Sequence, residues 1–322
     1  MVILYVSYGT VKTKDPERLT QHMQSKSKIG ILGGDSRQLA VGAMFADNGF
    51  ECAIWGCDAS ISSSMSKGMV KCVDWKCAVS SADAIILPWP LTTDGVRLNC
   101  GKNTENREIY IPRITEIIQH TDRSCVLFGG KVPISVKRFA DEHNIRLVDY
   151  YEFEDFQIKN AVPTAEGAIG IAIKELDVTL AGAKAAIVGY GRIGRTLSQR
   201  LVSLGCIVTC IARSRKDLAW AECDGCSALH LTGFKSKPES FDIIFNTAPH
   251  IIFDEGILKK LSRETLIVDL ASQNGGVDST AAEKYGIKVI KALSLPGKTS
   301  PITAGKIIYE TVMSVLGEEG LI

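Results

Sequence analysis

Three glycines stand at the spacing that lets a turn accept a diphosphate, in Gly189-Tyr190-Gly191-Arg192-Ile193-Gly194. The apolar run Ala185–Val188 precedes them and the helix-periodic stretch RTLSQRLVSLG follows. A strand, a glycine turn and a helix in this order form a dinucleotide-binding fingerprint. Gly189 allows the sharp turn, Gly191 leaves room for a pyrophosphate at the backbone, and Gly194 lets helix and strand pack closely. The helix start adds N–H groups without partners and the positive end of its dipole. Backbone groups of Tyr190, Arg192 and Ile193 complete the phosphate cradle. The bland alternative is a glycine-rich turn with a structural role alone.

The end of the next strand chooses between cofactors. An NAD site places an acid there to bind the ribose 2′-hydroxyl. Here IVTCIA runs into Arg213, Ser214 and Arg215, with no acid from Ile207 to Arg215. Two guanidinium groups and a hydroxyl suit a 2′-phosphate, so NADP is favoured over NAD. Solvated arginines after a strand are the alternative. Asn246, Thr247, Ala248 and Pro249 follow the strand DIIFN, and Asp269, Ala271 and Ser272 end LIVDLA. Both lie at carboxyl ends of strands, where open α/β sheets bind ligands. They are expected to line the nicotinamide ribose and ring, although Asp269 suits a cap equally well.

Three further loops carry hydroxyls, backbone donors and cations: Thr92-Thr93-Asp94-Gly95, Gly129-Gly130-Lys131 and Leu295-Pro296-Gly297-Lys298. Such groups fit a small anionic substrate, with Thr92, Thr93, Gly130, Pro296 and Gly297 as binding positions. Ordinary surface turns would look the same. Asn160, Pro163, Thr164 and Glu166 are placed at the start of a helix, with Thr164 at the substrate. Glu166 and Lys131 are the candidates for proton transfer, Glu166 having a capping role as its alternative. Gly33-Gly34-Asp35 lacks the third glycine; Asp35 and Arg37 there face a crevice or cap a helix. Of the five histidines only His250 falls near a strand end, and none follows IKVIKA. That weakens a simple hydroxyacid dehydrogenase reading. Cys223 and Cys226 make a single pair with His230 downstream, short of the four ligands of a structural zinc site, so no metal is expected.

These groups need elements to hold them. KIGIL, FECAIWG, DAIILPWP, SCVLFGG and IRLVDYYE read as strands separated by helical stretches. AAIVG, IVTCIA, DIIFN, LIVDLA and IKVIKA repeat the alternation. The expected fold is α/β: two doubly wound Rossmann-like domains with a cleft between them, similar to the hydroxyacid dehydrogenase architecture. Residues 1–157 form an N-terminal substrate-side domain, of which 1–27, with VILYVSY, are an edge strand or loose extension. The C-terminal helix 301–322 completes that domain. Residues 158–177 form a connecting helix with Pro163 in its first turn, and 178–300 the NAD(P)-binding domain.

Composition excludes other classes. Across 322 residues, 37 Lys and Arg oppose 36 Asp and Glu, a net charge of +1 without the concentrated positive field that nucleic acid requires. No apolar run reaches the ~18–20 residues that span a bilayer. The apolar start Met1–Tyr8 has no basic lead or cleavage site, and the ten dilute cysteines read as reduced thiols, so a cytoplasmic location is expected. A homo-oligomer is compatible with the sequence, though no motif marks its interface.

Taken together, GILGGDSRQLA, ILPWPLTTDG, NAVPTAEGAIGIAI, AAIVGYGRIGRTL, the IARS strand end, DLASQNGGVD and SLPGKTSPITAGKII resemble the dipicolinate synthase A-subunit family of endospore-forming bacteria. The likeness runs in order from about Lys28 to about residue 316. The resemblance implies NADP-dependent oxidation and dehydration of 4-hydroxy-tetrahydrodipicolinate, a small dicarboxylate, to dipicolinate during sporulation. The implied partner is a flavoprotein-like B-subunit, and the implied location is the mother-cell cytoplasm. Two other readings stay open: an NADP-dependent 2-hydroxyacid or amino-acid dehydrogenase-like enzyme, and a non-catalytic nucleotide-binding regulatory subunit.

Overall fold

The computed structural model describes residues 27–57, 67–101, 110–238, 240–271, 275–318 and 320. The expected strand VILYVSY and Ser272 lie outside them. The chain divides into two compact units. One holds the described residues up to Tyr150 together with those from Ile308; the other is Tyr151–Ile307.

The first unit runs β1 (Lys28–Leu32), α1 (Ser36–Asp47), β2 (Glu51–Trp55), β3 (Met69–Lys71), α2 (Trp75–Val79), β4 (Ala84–Ile86), α3 (Ile114–His120), β5 (Val126–Gly129), α4 (Ile134–Glu142) and β6 (Arg146–Asp149). Its strands pair in the order β3-β2-β1-β4-β5-β6, all parallel. Helices cover such a sheet on both faces, which is why β1, β4 and β5 are apolar almost throughout rather than alternating. The second unit runs α5 (Glu154–Glu175), β7 (Lys184–Val188), α6 (Arg192–Ser203), β8 (Ile207–Ala212), α7 (Arg215–Cys223), β9 (Ser227–His230), α8 (Leu231–Ser236), β10 (Ile243–Asn246), α9 (Glu255–Leu258), β11 (Leu266–Asp269), α10 (Ser279–Tyr285), β12 (Lys288–Lys291), α11 (Leu295–Thr299) and the first part of α12 (Pro301–Glu318). Its order is β9-β8-β7-β10-β11-β12, again all parallel. Both sheets therefore follow the Rossmann strand plan. The chain reverses direction across the sheet between β1 and β4 in one unit and between β7 and β10 in the other.

Two strands go beyond the sequence reading, and they occupy matching edges. β3 (MVK) and β9 (SALH) are short and partly exposed. They carry too little apolar signal to stand out; pairing to β2 and β8 makes them strands.

The helix expected from residue 158 begins at Glu154, so Pro163 sits in its interior rather than its first turn. Glu154 and Asp155 supply the negative charge that favours a helix start. Pro163 has no N–H to give the Lys159 carbonyl. The helix continues because Ala165, Ala168, Ile169 and Ala172 are buried in the core with Ala185, Ile187 and Leu197. From Ile308 onward α12 belongs to the first unit: the Tyr309 ring stands edge-on to Phe45, centroids 4.8 Å apart. Contacts of this kind add about 0.5–1.5 kcal/mol beyond burial. Among the described residues no helix is long and apolar enough to cross a membrane.

Candidate functional site

The glycine turn leaves the buried strand β7 and enters α6. Gly189 has φ +95°, and a Cβ there would strike the Thr247 hydroxyl. A Cβ on Gly194 would strike the Gly189 carbonyl oxygen, so the first turn of α6 rides directly on the loop. Gly191, the N-cap of α6, differs: its φ is −81° and nothing lies within 4 Å of where a Cβ would be. Neither conformation nor packing demands glycine there, which leaves open space in front of the backbone. The first helical bond, Arg195 N–H to the Gly191 carbonyl at 2.9 Å, leaves the preceding N–H groups without intrahelical acceptors.

The side chains of the turn are engaged elsewhere. Tyr190 is 7% exposed, and its hydroxyl donates to Asp224 at 2.6 Å. Burial pushes that phenol up, and the bond from Tyr190 holds the Asp224 carboxyl below its usual range, helped by Arg195 at 3.0 Å. Ile193 packs on the core. Arg192 donates to Glu154 at 2.9 and 2.5 Å and holds that carboxyl low. The turn's offer to a ligand is therefore mainly backbone.

Neighbouring strand ends gather around it. Gly189 N–H donates to the Ile211 carbonyl of β8 at 2.9 Å. Thr247, after β10, gives both its N–H and its hydroxyl to the Val188 carbonyl, each at 2.9 Å. Arg213 is exposed at the end of β8; its Nη2 lies 3.3 Å from Nε2 of His250. Ser214 caps α7 by accepting the Asp217 N–H at 3.3 Å, and exposed Arg215 opens that helix. The fingerprint, the arginine pair and Thr247-Ala248-Pro249 thus share the carboxyl edge of β7, β8 and β10.

Asn246 and Asp269 are fully buried and serve one another. Asn246 Nδ2 donates to Asp269 Oδ1 at 2.9 Å, and the other carboxylate oxygen accepts the Gly276 N–H at 2.9 Å. Asp269 Oδ1 also accepts from the Ala271 N–H at 3.2 Å. This clasp joins β10 to β11 and is the capping alternative for Asp269 rather than a surface offered to a ligand. Ala271 is buried as well. His230, weighed in the sequence only as a metal ligand, supports Arg213 instead: its Nε2 donates to the Arg213 carbonyl at 3.1 Å while its Nδ1 accepts from Thr232. Only pairing of β9 to β8 brings it there, and that strand gave no signal.

In the first unit a chain of backbone bonds ties the carboxyl edge together. Gly34 N–H donates to Asn99 O at 2.7 Å, Asn99 N–H to Leu91 O at 2.9 Å, Leu91 N–H to Gly130 O at 2.9 Å and Gly130 N–H to Pro88 O at 3.2 Å. Gly130 is squeezed between Trp89 and Tyr150; a Cβ would come within 2.5 Å of Trp89. Lys131 has φ +57°, held there because Asp149 accepts both its N–H at 2.9 Å and that of Val132 at 2.7 Å. Arg37, 6% exposed, donates to Asp35 twice at 2.8 Å and to the Trp89 carbonyl at 2.6 Å, and Asp35 caps α1. Thr92 donates to Asp94 and accepts from Gly95 N–H, both at 3.0 Å, closing its own turn beside exposed Thr93. Backbone N–H bonds from Arg97 and Val96 hold Asp94 below the usual carboxylate range.

Four predicted substrate-side residues have other surroundings. Thr164 is buried and its hydroxyl bonds the Asn160 carbonyl at 2.8 Å. Glu166 is exposed mid-helix, 3.5 Å from Arg200 Nε, and shares a shallow hollow with Ile169, Gln199, Ser203 and Leu204. Arg200 lies eight residues along α6 from Arg192, about 12 Å at 1.5 Å per residue. Glu166 therefore belongs to the end of α6 remote from the glycine turn. Pro296 is buried in α11, against α5: a Cβ on Gly167 would come 3.1 Å from Leu295. The segment with Gly297 is thus a helical turn, not an open loop. Among the described residues no three of His, Cys, Asp and Glu are grouped to hold a metal.

The model for the N-terminal domain of the dipicolinate synthase A-subunit matches residues 28–151, starting at the first residue of β1 and closing at the boundary of the first unit. The dipicolinate synthase A-subunit of Bacillus subtilis (strain 168) is 34% identical over 292 residues, covering 90% of this chain and 96% of that protein. The chain belongs to the dipicolinate synthase A-subunit family. Two crystal structures from the family superpose on it. That of the Bacillus subtilis A-subunit has TM-score 0.79 at 32% identity, covering 92% of this chain and 97% of that one. That of the Bacillus halodurans A-subunit has TM-score 0.78 at 30% identity, covering 90% and 97%. Membership of the dipicolinate synthase A-subunit family thus extends over both Rossmann-like units.

Proposed function

We propose that this chain is the oxidising subunit of a dipicolinate synthase that uses NADP. The observation that carries the cofactor reading is the open space at Gly191, between two glycines whose roles are structural. The backbone of 190–194 would hold the pyrophosphate at the start of α6. Arg213 and Arg215, flanking the Ser214 cap, would hold the 2′-phosphate, and Thr247 would stand beside the nicotinamide ribose.

Bound NADP supplies an acceptor for one hydride. The overall change is 4-hydroxy-tetrahydrodipicolinate losing one water, one hydride and one proton to give dipicolinate. Aromatisation drives it, so modest acid–base assistance suffices. The substrate is a dianion and requires charge-assisted donors. In the first unit these are assigned to Lys131, the backbone beside Gly130 and the hydroxyls of Thr92 and Thr93. Lys131 is the candidate to hold a proton at its Nζ, its backbone fixed by Asp149. Glu166, paired with Arg200, takes no part. Family membership supports partnership with a B-subunit, and a role in sporulation.

The test mixes the purified protein with the B-subunit, substrate and NADP. Dipicolinate and reduced cofactor should appear in equal amounts. Substrate consumed with no NADPH formed, or NAD serving as well as NADP, contradicts the proposal. Cofactor bound tightly while the B-subunit carries out the chemistry by itself points instead to the regulatory reading.

A further inference from the structure

The first unit holds two thiols that the reaction does not use. Cys72 follows β3, and Cys77 lies in the first turn of α2. Their Sγ atoms are 2.6 Å apart. The backbone fixes both: Cys72 N–H donates to the Ile54 carbonyl at 2.8 Å, and Cys77 N–H to the Asp74 carboxylate at 2.8 Å. The turn between them is at the surface, with Val73 95% exposed. Cys77 is exposed and Cys72 is buried. Burial pushes the Cys72 thiol up to about 12.

We propose that Cys72 and Cys77 form a reversible disulfide, an oxidisable site at the β3 edge separate from the dinucleotide turn. The geometry allocates the roles. Cys77, accessible from solvent, meets the oxidant first, a low-molecular-weight disulfide such as glutathione disulfide. Its thiolate attacks one sulfur and releases one reduced thiol, leaving a mixed disulfide on Cys77. Cys72 then attacks Cys77 Sγ, giving up its proton and releasing the second reduced thiol. Two protein thiols are oxidised and one disulfide is reduced to two thiols, so electrons balance. The sulfurs start close to the ~2.05 Å of the product bond. The bridge ties edge strand β3 to α2. Most other cysteines are too buried to compete: Cys52, Cys125, Cys206, Cys210 and Cys226 lie in the core.

The experiment treats the folded full-length protein with glutathione disulfide, blocks remaining thiols with an alkylating agent under acid quench, and digests with trypsin. Cleavage after Lys71 and Lys76 separates the two cysteines, so the bridge appears as peptide 72–76 joined to peptide 77–97, lighter by two hydrogens than the sum. Dithiothreitol should return both alkylatable thiols, and Cys77→Ser should abolish the cross-linked pair. Three results overturn the proposal: Cys77 stays as an unresolved glutathione adduct, it stays unmodified while Cys57 or Cys223 reacts, or Cys72 is found joined to another cysteine.

Discussion

Arg213 and His250 meet at 3.3 Å across the ends of β8 and β10, guanidinium nitrogen to imidazole nitrogen. The imidazole nitrogen accepts in this pair, so the histidine orients the arginine without neutralising its charge. A guanidinium so placed favours a ligand that brings its own negative charge. Arg213→Ala should weaken NADP binding about 10–100-fold, the ~1.5–3 kcal/mol of hydrogen bonding to a charged group. NAD, which has no 2′-phosphate, should lose little. Calorimetric titration of both cofactors against wild type and variant gives the comparison. Equal losses for the two cofactors contradict the assignment.

The three glycines of the turn should separate binding from stability. Gly191→Ala needs no backbone change and meets no neighbour, so thermal unfolding should shift little while cofactor affinity drops at least tenfold. Gly194→Ala drives a methyl into the Gly189 carbonyl and should lower the melting temperature by several degrees, on the order of 1–3 kcal/mol. Differential scanning calorimetry beside cofactor titration reads both. A large loss of melting temperature for Gly191→Ala goes against the open cradle.

The Asn246–Asp269 clasp is a stability element. Asn246→Ala removes one donor from a buried carboxylate and should cost about 1–3 kcal/mol in urea unfolding. Asp269→Asn should cost comparably, because the N–H groups of Ala271 and Gly276 then face a neutral acceptor. An unchanged unfolding midpoint contradicts the clasp.

Asp224 sets a pH dependence. Its carboxyl is held low chiefly by the Tyr190 hydroxyl. An acid lowered on folding adds stability above its unfolded value, near pH 4, and that contribution fades as pH falls through the folded value. Tyr190→Phe should therefore be less stable than wild type at pH 7, with the gap narrowing below about pH 4. Urea unfolding at pH 7 and at pH 3 tests this; a gap that stays constant means the carboxylate is not involved.

Much of this architecture was legible in the residues. The apolar runs of β7, β8, β10 and β11, with GYGRIG between β7 and α6, placed the glycine turn because buried parallel strands and closely spaced glycines leave a local mark. Arg213 and Arg215 were visible for the same reason: they follow directly on a strand. Non-local contacts were not visible. His230 reaches the Arg213 carbonyl only when β9 pairs with β8, and neither MVK nor SALH carries enough apolar pattern to declare a strand. Pro163 suggested a helix start because proline suits the first turn, but buried alanines on both sides of it outweigh one missing hydrogen bond. Glu166 followed Pro163 into the wrong part of the helix. Asn246 and Asp269 looked like ligand contacts because strand ends bind ligands; their burial against Gly276 depends on a glycine from the following loop.

The most direct measurement is titration of the unmodified protein, by itself, with NADP and with NAD. Saturable one-to-one binding of NADP is expected, tighter than NAD by about tenfold or more, the difference removed by Arg213→Ala. No binding of either cofactor, or binding of NAD with the greater affinity, contradicts it.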